Sequence, residues 1–169
     1  METAKNILVT GTPGCGKSTL IERIIGRLDR PLTGFFTREI KEKGRRTGFA
    51  IITLDGQRGV LAHLGHSSRF RVGRYGVNLE DLERIAVPSL RPREPGQVVV
   101  VDEIGKMECF SDLFQKTLLE TLASPHRVLG SIALRGGRFI QEIKARPDVR
   151  LVLVTKDNRD RLITLAGEL

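Results

Sequence analysis

Apolar residues recur along this chain in two rhythms, and the switches between them outline the fold. Positions 6–10 (Asn-Ile-Leu-Val-Thr) form a short strand-type run that gives way at once to a Gly- and Pro-punctuated turn. Leu20, Ile21, Ile24, Ile25 and Leu28 then repeat at helical spacing, with Pro31 as a stop. The stretches 34–40, 48–54, 59–64 and 69–72 are short β-rich runs separated by Gly, charged and polar clusters, and Asp55-Gly56 is a hairpin signal. They predict an antiparallel β-hairpin insertion around 34–75. Asn78, with Asp81 three residues on, predicts a capped helix whose apolar face holds Leu79, Leu82, Ile85 and Ala86. Positions 88–95, rich in Pro and Arg, read as a loop.

Four β-branched residues in a row at 98–101 mark a strand buried on both faces. Helical spacing returns at Leu113, Phe114, Thr117, Leu118 and Leu122, with Ser111 as N-cap. A strand at 128–134, a helix around 139–145, a strand at 149–155 and a last helix from about 158 follow. Buried strands alternating with helices predict parallel β-α units, hence an α/β fold with a doubly wound, mostly parallel sheet flanked by helices. At 169 residues the chain fits one domain, 1–169, on a scale of about 150 residues per domain.

Composition narrows the classes. With 40% hydrophobic residues the chain can bury a core. No apolar run approaches a membrane span, and Met1 to Lys5 lack the basic start of a leader, so a cytoplasmic monomer with no membrane partner is expected. Cys15 and Cys109 match neither a disulfide framework nor a CxxC metal knuckle. The net charge of +8 is uneven: nine basic residues against three acids between Arg38 and Arg74 leave +6 there. Such a patch suits polyanions, nucleotide phosphates or nucleic acid among them. With no Trp and 5% aromatics, base-stacking surface is scarce, and nucleic acid, though open as a partner, is not favoured.

The candidate chemistry begins at Gly11-Thr12-Pro13-Gly14-Cys15-Gly16-Lys17-Ser18, which fills every fixed position of G-x-x-x-x-G-K-[ST], with Thr19 continuing into the helix. Small residues let successive amides curl around phosphate oxygens, Lys17 reaches the β- and γ-phosphates, and the Ser18 hydroxyl suits Mg²⁺. The motif follows an apolar strand and opens an amphipathic helix, as that job requires. The second signal is the buried strand that ends at Asp102-Glu103. It places Asp102 at the carboxyl edge of the sheet, where it can hold Mg²⁺ with Ser18, and leaves Glu103 to polarise a water. The segment Val101, Asp102, Glu103, Ile104, Gly105, Lys106, Met107, Glu108 is expected near the nucleotide, with Lys17 and Glu103 catalytic.

These residues carry a family resemblance. The adjacent Asp-Glu is similar to the RecA-like division of P-loop NTPases. Gly34-Phe-Phe-Thr-Arg38-Glu39, Gly44-x-x-x-Gly48-Phe49, Val72-Gly-x-Tyr75-x-Val77, Asp102-Glu-Ile-Gly-Lys-Met-Glu108 and Thr155-x-x-Asn158-Arg159 resemble the THEP-type (cancer-related) nucleoside-triphosphatases, over essentially the whole chain. The resemblance implies a RecA-like P-loop fold and hydrolysis of nucleoside triphosphates with broad base tolerance. Arg38 and Arg159 are the arginines inside those blocks, and either can serve as an arginine finger.

Two other functions share parts of the pattern. A nucleotide or small-molecule kinase would use the same loop with an acceptor hydroxyl at Glu103, and a nucleic-acid-stimulated ATPase would use the basic hairpins. His63 and His66 have metal-compatible spacing but no completing ligand, and read as turn histidines. Cys15 reads as a small loop filler, and Phe35, Phe36, Phe49, Phe70 and Tyr75 as the core of the hairpin region.

Overall fold

The structure, a computed structural model, describes residues 4–169; Met1 to Thr3, part of the stretch read above as lacking a leader's start, lie outside them. Nine strands form one sheet in the order β5-β6-β4-β3-β2-β7-β8-β1-β9. They are β1 (Asn6–Thr10), β2 (Leu32–Glu42), β3 (Arg45–Thr53), β4 (Arg58–His63), β5 (Arg71–Val72), β6 (Tyr75–Val77), β7 (Val98–Ile104), β8 (Val128–Ile132) and β9 (Val149–Leu153). The run β2-β7-β8-β1-β9 is parallel, and β3, β4, β6 and β5 extend it as antiparallel strands.

The antiparallel hairpin region predicted around 34–75 is therefore present and continues the sheet. The first half of β2 pairs in parallel with β7, Leu32↔Val98 through Phe36↔Asp102, while β3 pairs with β2 from Phe35 to Glu42. At Gly34 the two neighbours come so close that a Cβ would lie 1.9 Å from the Val100 carbonyl oxygen. β9 departs from the expected buried strand: it is the far edge, with Leu151 and Leu153 exposed, because the sheet ends there and only β1 pairs with it.

Helices flank the sheet: α1 (Lys17–Ile25), α2 (Leu79–Asp81), which lies against β4 of the extension, α3 (Val87–Ser89), α4 (Asp112–Ala123) and α5 (Arg138–Lys144). The Asn78 side chain accepts from the Asp81 amide as predicted, and Ser111 caps α4 by accepting from Phe114 N. Between α2 and α3 the chain widens into a π-helical turn, Leu82–Ala86, in which Val87 N bonds back to the Leu82 carbonyl. Pro88 follows immediately, inside α3 and not in a loop; it has no N–H to give the helix, and a looser turn accommodates its ring. The last helical segment, Arg161–Glu168, is a 3-10 helix packed on α1.

The two faces of the sheet carry separate cores. Phe35 packs edge-on against Phe114 of α4, with ring centroids 6.3 Å apart, alongside Val99 and Val101. Phe36, the next residue of β2, faces the other way, into the cluster of Ile7, Val9, Leu20, Ile24 and Val100 under α1. Only Phe49, Phe70 and Tyr75 of the five aromatics belong to a small cluster of the extension, with Phe49 and Tyr75 T-stacked at 5.3 Å.

Candidate active site

Strand β1 is buried along its whole length and delivers the chain at Gly11 to the carboxyl edge of the sheet. The turn that follows closes at Gly16, whose φ of 98° is open to glycine and costly for a side chain. No side chain caps α1, so its first amides stay free to meet an anion. Lys17 Nζ lies over the turn and donates to the carbonyls of Gly11 (2.8 Å) and Thr12 (3.3 Å). Cys15 is buried below it, among Ile7, Val9 and Leu20, in the filling role its size suggested.

The second half of the site stands at the end of β7. The ladder to β8 runs regularly to Val101↔Gly130, breaks, and resumes at Ile104↔Ile132, so Asp102 and Glu103 leave the regular pairing at the carboxyl edge. Asp102 is 2% exposed. Its Oδ1 accepts from Ser131 Oγ at 2.6 Å, and its Oδ2 is buried with no hydrogen-bond partner; Arg38 Nη1 lies 3.9 Å away. A buried carboxylate oxygen left without a donor is costly, and a metal ion or its water shell would satisfy it.

Glu103 lies between opposing influences. Burial raises its pKa first, the Asp102 charge raises it further, and Lys17 pulls it down. The strand order β7-β8-β1 sets the glycine turn and the end of β7 at the same carboxyl edge with only β8 between them, which brings Lys17 and Glu103 to one site. Behind them, the Glu108 carboxyl is buried and pushed up to about 8, by desolvation first and by Glu103 second. Its Oε2 accepts from Gly105 N at 3.2 Å. A Cβ on Gly105 would lie 2.8 Å from Glu103 Oε1 and 3.0 Å from Glu108 Oε2, so the two carboxyl groups approach one point. Lys106, in the same turn, faces solvent.

The two arginines part company. Arg38 extends from β2 past the parallel ladder, stacks on Phe36 with its guanidinium carbon 4.7 Å from the ring centroid, and pairs with Glu22 of α1 beside Asp102. Arg159 sits on the other flank: its Nη1 is 3.2 Å from where a Cβ on Gly16 would be. His63 is not in a turn, as read from the sequence, but closes β4, paired with Gly48 and Gly76, and its Nδ1 accepts from Gly65 N at 3.0 Å in the turn that follows. One contributor escaped the sequence reading: Ser131 could be found only as a hydroxyl in an otherwise apolar strand. Gly105 lies in the segment expected near the nucleotide, but nothing local marks it as the meeting point of two carboxyl groups.

A glycine-rich turn with the P-loop motif after β1 and an Asp-Glu pair at the end of β7, one strand removed, define a P-loop α/β fold. Comparison with known proteins narrows this to a family. The chain belongs to the NTPase family, whose model matches residues 6–165. It is 43% identical to the nucleoside-triphosphatase THEP1 of Thermotoga sp. (strain RQ2), over 93% of this chain and 90% of that one. The crystal structure of THEP1 from the hyperthermophile Aquifex aeolicus superposes with a TM-score of 0.84 at 36% identity, covering 94% of each chain. The solution structure of a human cancer-related nucleoside triphosphatase gives 0.80 at 40% identity, over 95% of this chain and 94% of that one.

Proposed function

We propose that this chain hydrolyses nucleoside triphosphates to the diphosphate and phosphate, in a Mg²⁺-dependent reaction with little preference among bases. The relatives named as nucleoside-triphosphatases support the reaction, and the observation that carries it here is the buried, unpartnered Asp102 Oδ2 beside Glu103 and across from Lys17. Asp102 and Ser18 are the side chains that would hold Mg²⁺, and the ion would supply charge neutralisation at the phosphate oxygens. The backbone N–H groups of residues 11–18, Pro13 excepted, and the Lys17 ammonium cradle the phosphates. Glu103, made more basic by burial and the Asp102 charge, accepts the proton of a water aligned for attack on the terminal phosphorus. Ser131 holds Asp102 in place by its hydrogen bond. Arg38 has the position to oppose charge at the γ end.

Phosphate release from ATP, GTP, CTP and UTP, with and without excess chelator, tests the reading. Turnover of all four that stops in chelator and returns with Mg²⁺ is expected, and Asp102→Asn should raise the Mg²⁺ concentration needed. Full-rate hydrolysis in excess chelator would refute the metal assignment, and phosphate release that demands an added acceptor would point to a kinase.

A further inference from the structure

The loop after β9 is built around a side chain that the phosphate chemistry does not use. Asn158 ties it down three ways: its Oδ1 accepts from Thr155 N (2.8 Å), its N donates to Thr155 Oγ1 (3.2 Å), and its Nδ2 donates to the Leu153 carbonyl (2.8 Å). Arg159 N donates to the Thr155 carbonyl as well. The outcome is a half-buried Arg159 whose guanidinium makes no hydrogen bond or ion pair with any described residue and packs on Gly16. Beside it opens a cavity of about 330 Å³, lined by Gly16, Thr19, Leu20, Arg23, Arg159 and Asp160. Arg23 and Asp160 close its wall as an ion pair of 2.8 Å, so their charges already satisfy each other.

The sheet order gives this cavity its meaning. β9 and β7 lie on opposite sides of β1, so the P-loop has Asp102 and Glu103 on one flank and Arg159 on the other. A triphosphate whose γ end meets Glu103 must run its α end toward Gly16 and Thr19, where the cavity begins. We propose that this cleft is the nucleoside subsite and that Arg159 is the planar support for the base. The assignment rests on the triphosphatase reading above and deepens it. A guanidinium plane stacks on the face of any base, since each base presents a π-surface. The remaining polar side chains of the cleft are one hydroxyl and the mutually paired Arg23 and Asp160, which leaves no donor–acceptor pattern to choose a base edge. Arg159 thus serves affinity for the nucleoside, and its distance from the γ end sets it apart from an arginine finger.

Equilibrium binding of ATP, GTP, CTP, UTP and inorganic tripolyphosphate to the full chain and to Arg159→Ala tests this, together with single-turnover hydrolysis at saturating ATP. The variant should bind all four nucleotides about tenfold more weakly. Tripolyphosphate, which has no nucleoside, should bind as it does to wild type, and the saturated hydrolysis rate should stay within about threefold. Arg159→Lys, which keeps the charge without the plane, should recover little of the lost affinity. Equal weakening of tripolyphosphate and nucleotides, or a hundredfold loss of saturated rate, would overturn the proposal in favour of a phosphoryl-directed arginine. Loss confined to one base, or full rescue by Arg159→Lys, would overturn the base-indifferent role. Wild type that binds tripolyphosphate but no nucleotide would instead bring down the triphosphatase reading itself, and this inference with it.

Discussion

Lys17 and Glu103 sit within each other's field yet serve different steps, and single substitutions should separate them. Glu103→Gln keeps shape and hydrogen bonding but cannot take a proton, so turnover should fall by about 10²–10⁴-fold. Nucleotide affinity should hold or tighten, because one carboxylate is removed from the γ-phosphate's surroundings. Lys17→Ala should lose binding and turnover together. Single-turnover hydrolysis beside equilibrium binding distinguishes the two; near-wild-type hydrolysis by Glu103→Gln would move the base elsewhere. Glu108 makes a thermodynamic prediction. Its carboxyl holds a proton to about pH 8 in the folded chain, against 4.5 for an ordinary glutamate, because burial and the Glu103 charge oppose ionisation. The native state then binds more protons than the unfolded one between those values, so stability falls as pH rises from about 4.5 to about 8. Glu108→Gln can still accept from Gly105 N and has nothing to ionise. Denaturant unfolding should find it more stable than wild type at pH 8, by up to a few kcal/mol, with the difference vanishing near pH 4.5. A difference that does not change across that window would refute the assignment.

The two longest helices, α1 and α4, begin in opposite ways. α4 begins at Ser111, whose hydroxyl oxygen accepts from Phe114 N at 3.0 Å while its proton goes to Glu83 Oε1 at 2.7 Å. One hydroxyl therefore starts the helix that covers Phe35 and ties it to the π-helical turn. Ser111→Ala should cost about 1–3 kcal/mol, the sum of a lost cap and a lost charge-assisted bond, read as a lower urea midpoint. Ser111→Thr should recover part of it, and an unchanged midpoint for the alanine variant would show that water replaces the cap. The glycine turn before α1 follows the opposite logic: its amides are left without a side-chain cap, as an anion site requires.

For the whole molecule, β2 decides how the parts depend on one another. It is at once the edge of the parallel half and the first strand of the antiparallel extension, so neither can lose it alone. Phe35 and Phe36 place that shared strand in both main cores. The chain has one tyrosine and no tryptophan, and Tyr75 lies buried in the extension, stacked on Phe49. Tyrosine fluorescence thus reports the extension, while far-UV circular dichroism is dominated by the helices on the parallel half. The two should give coincident denaturation midpoints, as one cooperative unit does. Separated midpoints would mean that the extension unfolds by itself.

The sequence by itself determined the local features: the strand–turn–helix that carries the P-loop motif, the Asn78 cap on α2, the Ser111 cap on α4, and a mostly parallel α/β sheet. Each depends on neighbours a few residues apart, where spacing and residue type act directly. It also named Asp102 and Glu103, because a β-branched run that ends in two acids can only bring them to a strand's end. Tertiary structure decided the rest. That β2 belongs to both halves, that β9 is an exposed edge, and that Phe35 and Phe36 enter different cores follow from strand order, which no local pattern encodes. So do the Ser131 bond to Asp102, the proximity of Glu108 to Glu103 and the opposite stations of Arg38 and Arg159. Arg38 and Arg159 each stand in a block that resembles the family, and only the placement of β7 and β9 on either side of β1 sends one to Asp102 and the other to Gly16.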